Sequence, residues 1–356
     1  MSTVTTMEHF FKTVHITNFK SLKDVTLSDC KRINLLLGKP NVGKSNILEA
    51  IGLFSIPYLK YNKSKKITQF VRLEDLNELF FNGDKEKRII IEAKDNGNNF
   101  SSCEATSFKD GQERMIGFTI NLKTDTSIYK EITMLINSKL NFINDYKRNL
   151  RPLSKVKYYK FSYELSSKKS INNSLQFLIP PVGANLADTI QEYNQLKKEL
   201  IDIFATYNLK LLFDKGNDTL RISKAIKDDE IFSLPLNSIA DTLQRLIFFK
   251  TAIASNENSI LLFEEPEAHC FPPYIAHFTQ EVIYSETNQF FIATHSPYVL
   301  NDFLENAETR KEVAIFFADF KDGQTVINRL SDDELNEIHD YGIDVFFNYE
   351  RFTKHG

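Results

Sequence analysis

A run of eight residues near the N-terminus has the residue types and spacing of a loop that binds phosphate groups. The octet, hereafter the phosphate loop, is Gly38-Lys39-Pro40-Asn41-Val42-Gly43-Lys44-Ser45 and fits the pattern G-x-x-x-x-G-K-[ST]. An apolar run, residues 33–37, precedes it, and an amphipathic helical pattern with Ile47, Leu48 and Ile51 on its apolar face follows. The sequence therefore predicts a strand, a loop and a helix in the order that a phosphate site needs.

The chemistry of such a loop depends on its backbone and on two side chains. Glycines let backbone N–H groups converge on phosphate oxygens, and the N-terminus of the helix adds positive potential. Lys44 reaches the β- and γ-phosphates, and the hydroxyl of Ser45 ligates Mg²⁺. We therefore predict a nucleoside triphosphate site formed by Gly38, Lys39, Pro40, Asn41, Val42, Gly43, Lys44, Ser45 and Asn46.

Two carboxylates follow a second apolar run. Residues 259–263 are long enough for a buried parallel strand and lead into Glu264 and Glu265, hereafter the acidic pair. Ligands of open α/β sheets bind at the carboxyl edge of the strands. There Glu264 can hold Mg²⁺, directly or through water, and Glu265 can orient or deprotonate an attacking water.

A histidine ends a third apolar run. Residues 289–293 read as a strand that leads into His295, and a helical pattern over residues 272–286 separates it from the acidic pair. If the two strands are neighbours in a parallel sheet, His295 reaches the same edge, close to a γ-phosphate.

The remaining patterns predict the elements around this site. They indicate a β-hairpin in 11–27, a helical segment at 73–81, strands at 88–93 and 115–122 in an antiparallel sheet, one amphipathic helix over 185–207, hairpins at 209–222 and 313–330, and a capping box from Ser331 to Glu334.

Composition limits the class of protein. The chain has 356 residues, 42% of them hydrophobic, and a net charge of −3, which does not by itself indicate nucleic-acid binding. Cys30, Cys103 and Cys270 stand far apart, so neither a zinc site nor a disulfide framework is expected. The sequence shows neither a secretory signal nor an apolar run of about 18 residues. We expect a cytoplasmic protein without a membrane segment.

One stretch departs from this balance. Residues 147–169, hereafter the basic stretch, run from Lys147 to Lys169 and contain eight lysines or arginines against one acid, Glu164. Four tyrosines stand among or beside them: Tyr146, Tyr158, Tyr159 and Tyr163. Basic and aromatic residues together are typical of single-strand nucleic-acid surfaces. A solvated sheet face has the same composition, so both interpretations stay open.

The motifs taken together resemble a known family. GKPNVGKSNILEA, SILLFEEPEAH and FFIATHSP, with NFKSLKDVTL before them, resemble the ABC-type ATPase heads of the SMC/RecF/OLD-like group. The similarity is closest to the stand-alone bacterial AAA_15/AAA_21 ATPases that often occur in anti-phage defence operons. It covers roughly residues 12–55 and 235–330 and is loose between them.

The resemblance implies an α/β P-loop fold. It comprises a central, mostly parallel sheet, an antiparallel side sheet and an inserted helical arm. The nucleotide-binding core would then be residues 1–125 and 235–356, and the arm residues 126–234, within one ABC-type ATPase domain.

The resemblance also implies roles for individual residues. Residues 38–46 would be the Walker A loop, with Lys44 catalytic, and the acidic pair Glu264-Glu265 the Walker B pair. His295 would be the switch histidine. ATP would be bound with Mg²⁺ on Ser45 and Glu264, and two copies of the chain would close around the nucleotide.

Three features depart from the family pattern. The candidate signature segment, residues 237–245, has Ala240 and Thr242 where glycines are usual. Either dimer-coupled hydrolysis is slow, or the segment uses Ser238 and Asp241 differently. Glu264 stands where Asp is usual. No glutamine matches the Q-loop of the family, and Asn82, after the run 79–81, is a guess at that region.

The functional expectation is an ATPase that controls a separately encoded effector in phage defence. The alternatives are a RecF-like repair ATPase that binds DNA and a nucleotide-locked scaffold with little turnover. The sequence has no long heptad array, which argues against an SMC protein. The 61 residues after His295 are too few for a TOPRIM nuclease domain.

Overall fold

The structure is a computed structural model that describes residues 9–97, 99–123, 129–143, 154–163, 175–214, 216, 219–227 and 230–353. In chain order the strands are β1 Phe11–Phe19, β2 Leu22–Leu27, β3 Ile33–Gly38, β4 Ile89–Asp95, β5 Phe100–Asp110, β6 Glu113–Lys123, β7 Tyr129–Ile136, β8 Val156–Tyr159, β9 Lys210–Asp214, β10 Thr219–Lys227, β11 Glu230–Pro235, β12 Ile260–Glu264, β13 Gln289–Ala293, β14 Val313–Lys321 and β15 Gln324–Arg329. The helices are α1 Lys44–Gly52, α2 Leu186–Glu192, α3 Asn194–Ala205, α4 Asp241–Ala254, α5 Pro272–Tyr284, α6 Pro297–Glu305, α7 Ala307–Lys311, α8 Asp332–Asp340 and α9 Tyr349–Thr353.

The chain forms two compact units. The first consists of residues 1–158, 258–265 and 287–356, and the second of residues 159–257 and 266–286. Each is described separately below. The division into a core and an inserted arm, with boundaries at 125 and 235, stays a prediction.

The central sheet of the first unit carries the predicted α/β architecture. Its strand order is β15-β14-β3-β13-β12-β8. Strands β14, β3, β13 and β12 are parallel neighbours, whereas β15 returns antiparallel to β14. All residues of β3 and β13 are buried, as expected of parallel strands covered on both faces. The predicted adjacency of the strands that end in the acidic pair and in His295 is confirmed.

The second sheet of this unit is antiparallel, with the order β2-β1-β4-β5-β6-β7. The predicted hairpin is β1 with β2, and β2 is the edge strand. Strands β4 and β6 match the strands predicted at 88–93 and 115–122, but no strand was predicted between them. The structure instead has an eleven-residue strand there, β5, whose serines and charged residues weaken the apolar alternation.

The helix predicted over 73–81 was wrong. The structure has two short 3₁₀ turns there, Leu76–Leu79 and Phe81–Gly83. Asp75 accepts a hydrogen bond from the backbone of Asn77, and Asn82 has a positive φ of 51°. A left-handed residue ends a helix, so the apolar spacing could not extend into one.

The second unit contains helices α2 to α5 and a three-stranded antiparallel sheet in the order β11-β10-β9. The single helix predicted over 185–207 is two helices, because Tyr193 leaves the helical region with φ −102° and ψ 90°. The hydroxyl of Tyr193 donates to the carbonyl of Ser255. The buried stripe continues across the break, which explains why the periodicity looked unbroken. The predicted hairpin is β9 with β10, to which β11 adds an unpredicted strand.

Two further predictions hold in the first unit. Strands β14 and β15 form the predicted hairpin. Ser331 and Glu334 form both hydrogen bonds of a capping box at the start of α8. In the described part of the chain, no helix is both long enough and apolar enough to cross a membrane.

Candidate functional site

The phosphate loop lies between β3 and α1 and has an unusual backbone. Gly38, Asn41 and Gly43 have φ values of 141°, 62° and 105°. A Cβ on Gly38 would lie 2.3 Å from the carbonyl oxygen of Ala318, and one on Gly43 would lie 2.1 Å from Oγ1 of Thr325. Neighbouring strands therefore leave no room for side chains at these two positions, so both must be glycine.

The N-terminus of α1 is presented to the loop without a side-chain cap. Gly43 occupies the N-cap position and supplies no side-chain hydrogen bond, which leaves first-turn N–H groups available to an anion. The ammonium group of Lys44 donates to the carbonyl oxygens of Gly38 and Lys39, at 2.8 Å each. The side chain of Lys44 is therefore held by backbone carbonyl groups of the phosphate loop itself.

Three contacts that the sequence analysis missed hold the loop in place. The amide of Asn46 donates to Oγ of Ser21 at 2.7 Å, and that hydroxyl lies 2.6 Å from Oγ1 of Thr325. The ammonium group of Lys39 lies 4.4 Å from the ring centroid of Tyr349. Ser21, Thr325 and Tyr349 come from distant parts of the chain, so no local pattern points to them.

The acidic pair lies at the carboxyl end of β12, and the two carboxylates have different surroundings. Oε1 of Glu264 lies 2.5 Å from Nη2 of Arg72, and Oε2 accepts a hydrogen bond from the hydroxyl of Tyr158 at 3.2 Å. Burial, followed by the charges of Glu264 and Glu49, raises the pKa of Tyr158 well above its usual value, so its hydroxyl remains a donor.

Glu265 has a strained backbone and an open side chain. Its φ is 43°, a region that non-glycine residues rarely occupy, and its N–H donates to the carbonyl of Ala293 on β13 at 2.8 Å. Its side chain is 48% exposed, and Oε1 lies 3.6 Å from Nε2 of His295. The backbone hydrogen bond to Ala293 and the left-handed conformation of Glu265 direct its carboxylate toward His295 rather than back into the sheet.

His295 follows β13 and completes the arrangement. Burial, then the positive charge of Lys44, lower its pKa from 6.5, while Glu265 opposes them. The imidazole is therefore neutral at pH 7. Lys44, the acidic pair and His295 all belong to the first unit and meet at the carboxyl edge of its parallel strands, as their positions after β3, β12 and β13 require.

These residues fit the groups that the sequence predicts. Mg²⁺ commonly takes one or two protein oxygens and completes its shell with phosphate and water. The half-buried hydroxyl of Ser45 and the carboxylate of Glu264 are such a set. Among the residues that the structure describes, no cluster of three or more His, Cys, Asp and Glu side chains offers an all-protein metal cage.

The signature segment belongs to the second unit. Ser238 is exposed in a 3₁₀ turn, and Asp241 begins α4, where its Oδ2 accepts hydrogen bonds from Tyr163 and Arg245. Ala240 has φ −52° and Thr242 is helical, so the local backbone does not need glycine at either position. A role for Ser238 and Asp241 toward a partner's nucleotide stays a prediction.

The Q-loop candidate does not reach the acidic pair by any contact described for it. Asn82 is exposed in the turn Phe81–Gly83, whereas Arg72 of the same connecting segment contacts Glu264.

The structure describes only part of the basic stretch, so its nucleic-acid interpretation stays a prediction. Residues 147–153 and 164–169 lie outside the described part, and Tyr146 does too. Of the rest, Lys157, Tyr158 and Tyr159 are buried. Lys157 donates to Oγ of Ser259 at 2.9 Å, and burial lowers its pKa to about 7. These three side chains cannot contact a nucleic-acid strand in this conformation.

Comparisons with known proteins identify the family and the fold. The sequence profile of the AAA_21 family, described as "AAA domain, putative AbiEii toxin, Type IV TA system", matches residues 33–301. An uncharacterised protein of Methanocaldococcus jannaschii is 30% identical over 87 residues, which are 22% of this chain and 40% of that protein. The DNA replication and repair protein RecF of Caldanaerobacter subterraneus subsp. tengcongensis is 30% identical over 129 residues, 34% of this chain and 35% of RecF. The chain thus spans well under half of the length of either relative.

Solved structures share the fold. An SMC head bound to the C-terminal winged-helix domain of ScpA aligns with a TM-score of 0.51 and 14% identity, covering 91% of this chain and 99% of the head. The SMC head with an extended coiled coil, bound to the C-terminal domain of ScpA derived from Pyrococcus furiosus, aligns with a TM-score of 0.52 and 12% identity, covering 93% and 99%. Both describe an SMC-type P-loop ATPase fold.

Proposed function

The chain belongs to the AAA_21 family of SMC/RecF-like ATPases, and we propose that it binds and hydrolyses ATP as an ABC-type head whose two copies close around nucleotide. The observation that carries this proposal is the meeting of Lys44, Glu265 and His295 at the edge of one parallel sheet. The loop reads phosphates and not the base, so adenine rests on family membership.

Each residue has a distinct part in the proposed reaction. The phosphate loop and the N-terminus of α1 bind the phosphates, and Lys44 exchanges its two carbonyl partners for phosphate oxygens. Ser45 and Glu264 would hold Mg²⁺, which would supply charge neutralisation for the phosphates when bound. Glu265 accepts the proton of the attacking water, and the neutral His295 holds that water or the γ-phosphate by a hydrogen bond.

We further propose that the ATPase acts through a separately encoded effector in anti-phage defence. The family description, which names a toxin system, supports the setting. The two similar SMC heads are each bound to a second protein, ScpA, which is an analogy for control through a partner. A cytoplasmic location fits this proposal.

Two other functions have an observation in their favour. The similarity to RecF favours a repair ATPase that binds DNA. The engagement of Glu264 by Arg72 and Tyr158, together with the substituted signature segment, favours a scaffold that holds nucleotide and turns it over slowly.

The deciding experiment measures mass and ATP turnover, with and without ATP·Mg²⁺, for the wild type and Glu265→Gln. We expect ATP to promote a dimer or larger assembly, and Glu265→Gln to retain ATP, trap that assembly and lose turnover by about 10²–10³-fold. The matched control is Glu305→Gln, an exposed glutamate on α6 that should behave like the wild type.

The alternatives give different results. A mass that is indifferent to ATP in both proteins would rule out nucleotide-driven dimerisation. Turnover that is low in the wild type and unchanged in Glu265→Gln would support the scaffold.

A further inference from the structure

The carboxylate of Glu264 is part of a chain of four charged side chains, hereafter the counter-ion network. Lys20 lies 2.5 Å from Oε2 of Glu49, and Nε of Arg72 lies 3.0 Å from Oε1 of Glu49. Nη2 of the same guanidinium lies 2.5 Å from Oε1 of Glu264. All four residues belong to the first unit.

The network keeps the backbone of Arg72 fixed while its side-chain tip stays accessible. The carboxylate of Glu49 accepts a hydrogen bond from the backbone N–H of Arg72 at 3.1 Å, and the ammonium group of Lys20 donates to the backbone carbonyl of Arg72 at 2.6 Å. The side chain of Glu49 is fully buried, whereas that of Arg72 is 59% exposed. The guanidinium can therefore leave Glu264 for solvent without unfolding the segment that carries it.

The charges of the network already balance. Lys20 and Arg72 carry two positive charges, and Glu49 and Glu264 carry two negative ones.

The network lies beside the predicted Mg²⁺ site. Glu49 lies four residues after Ser45, so both face the same side of α1. A divalent cation placed between Ser45 and Glu264 meets the guanidinium of Arg72 as a like charge at short range.

The length of Glu264 fits this arrangement. Its carboxylate spans Arg72 on one oxygen and Tyr158 on the other. An aspartate in the same place is shorter by one methylene and would retract from both partners. The unusual acid at this position is explained by its internal partners.

We propose that Arg72 is a positioning residue that acts as the internal counter-ion of Glu264, and that Mg²⁺ arriving with nucleotide must displace it. The exchange sets the Mg²⁺ concentration at which nucleotide is bound tightly. This inference rests on the proposed ATP site and deepens it.

The test measures binding rather than turnover. The fluorescence of mant-ATP is titrated with Mg²⁺ in the presence of wild type, Arg72→Gln, Glu264→Asp and Arg88→Gln. We expect the half-saturating Mg²⁺ concentration to fall about tenfold in Arg72→Gln, because a competing positive charge is lost. Arg88→Gln, which removes an exposed arginine 3.7 Å from Glu104, should match the wild type.

Glu264→Asp is a second test of the proposal in case Arg72→Gln does not fold. Arg72→Gln leaves the buried Glu49 with fewer partners, whereas Glu264→Asp keeps the pairing of Arg72 with Glu49 and shortens only the other acid. It should also lower the half-saturating Mg²⁺ concentration. An unchanged or higher value in Glu264→Asp and in folded Arg72→Gln would overturn the counter-ion role while leaving the ATP site intact. If mant-ATP fails to bind the wild type at any Mg²⁺ concentration, both proposals fall.

Discussion

The protonation of His295 depends on its neighbours in the site. Burial and the charge of Lys44 lower its pKa, and Glu265 acts in the opposite direction. The folded protein therefore binds a proton at His295 less readily than the unfolded chain does. It follows that this group lowers the free energy of unfolding as the pH falls through 6.5 and has no effect well above that value.

The pKa of His295 should respond to Lys44. In Lys44→Met we expect an upward shift in the pKa of His295, because a positive charge that lowers this pKa is removed. An NMR titration of the imidazole protons, with His295→Gln to assign the signal, measures it. Lys23→Met, which removes an exposed lysine, should leave the midpoint in place. A midpoint equally unmoved in Lys44→Met would mean that the lysine does not act on this ring.

The phosphate loop as an element depends on the strands beside it. At Gly43 a methyl group would meet both the positive φ and the hydroxyl of Thr325, whereas Gly83, with φ 71°, has nothing within 4 Å of its missing Cβ. We expect Gly83→Ala to cost about 1 kcal/mol of unfolding free energy, from strain alone. Gly43→Ala should cost at least about 2 kcal/mol more and abolish nucleotide binding.

Urea unfolding of both variants checks this prediction. In Gly43→Ala with Thr325→Ala, part of the loss should return, because the clash is relieved while the strained φ remains. Equal losses in Gly43→Ala and Gly83→Ala would show that the hairpin of β14 and β15 yields to the new methyl group.

Strand β8 carries a lysine that is costly to bury. The pKa of Lys157 falls to about 7, so between pH 7 and 10.5 the unfolded chain holds a proton at this position that the folded chain lacks. The free energy of unfolding therefore rises with pH across that window. In Lys157→Met this contribution is absent, and the variant should be more stable at pH 7, by a few kcal/mol as an order of magnitude.

The comparison that tests it is the difference in unfolding free energy between Lys157→Met and wild type at pH 7, 8.5 and 10. The difference should shrink as the pH rises, while other titrating groups cancel. A constant difference would mean that Lys157 stays charged in the folded protein. Lys23→Met provides the baseline for loss of an exposed lysine.

These elements also show how far the sequence could lead. The strand, loop and helix of the phosphate loop are local, and the strands of the acidic pair and His295 are short apolar runs in the expected order, so these elements and the adjacency of the two strands could be predicted. The contact of Arg72 with Glu264 could not be predicted, because Arg72 lies 192 residues before Glu264 in a connecting segment of 3₁₀ turns. Tyr158 could not either, since its buried position on β8 depends on packing against Gly52 and not on a pattern in its own neighbourhood.

At the scale of the whole molecule, the net charge bears on whether nucleic acid is a partner of this protein. The net charge of −3 gives no general attraction to nucleic acid, so any such binding must come from a local surface. The described part of the basic stretch buries Lys157, Tyr158 and Tyr159. These three side chains therefore do not contribute to such a surface.

The corresponding prediction concerns the salt dependence of DNA binding. We expect only weak binding to single-stranded and duplex DNA at 50 mM salt and none at 200 mM, with or without ATP·Mg²⁺, because binding through a few phosphate contacts is weak and is lost as the salt concentration rises. Replacing Lys147, Arg148, Lys168 and Lys169 by glutamine should weaken residual binding no more than the same change at four exposed lysines, Lys23, Lys63, Lys87 and Lys311. Fluorescence anisotropy of labelled oligonucleotides measures both. Tight but salt-sensitive binding that fails only in the basic-stretch variant would instead favour the RecF-like function, since phosphate contacts concentrated in that stretch would then carry the binding.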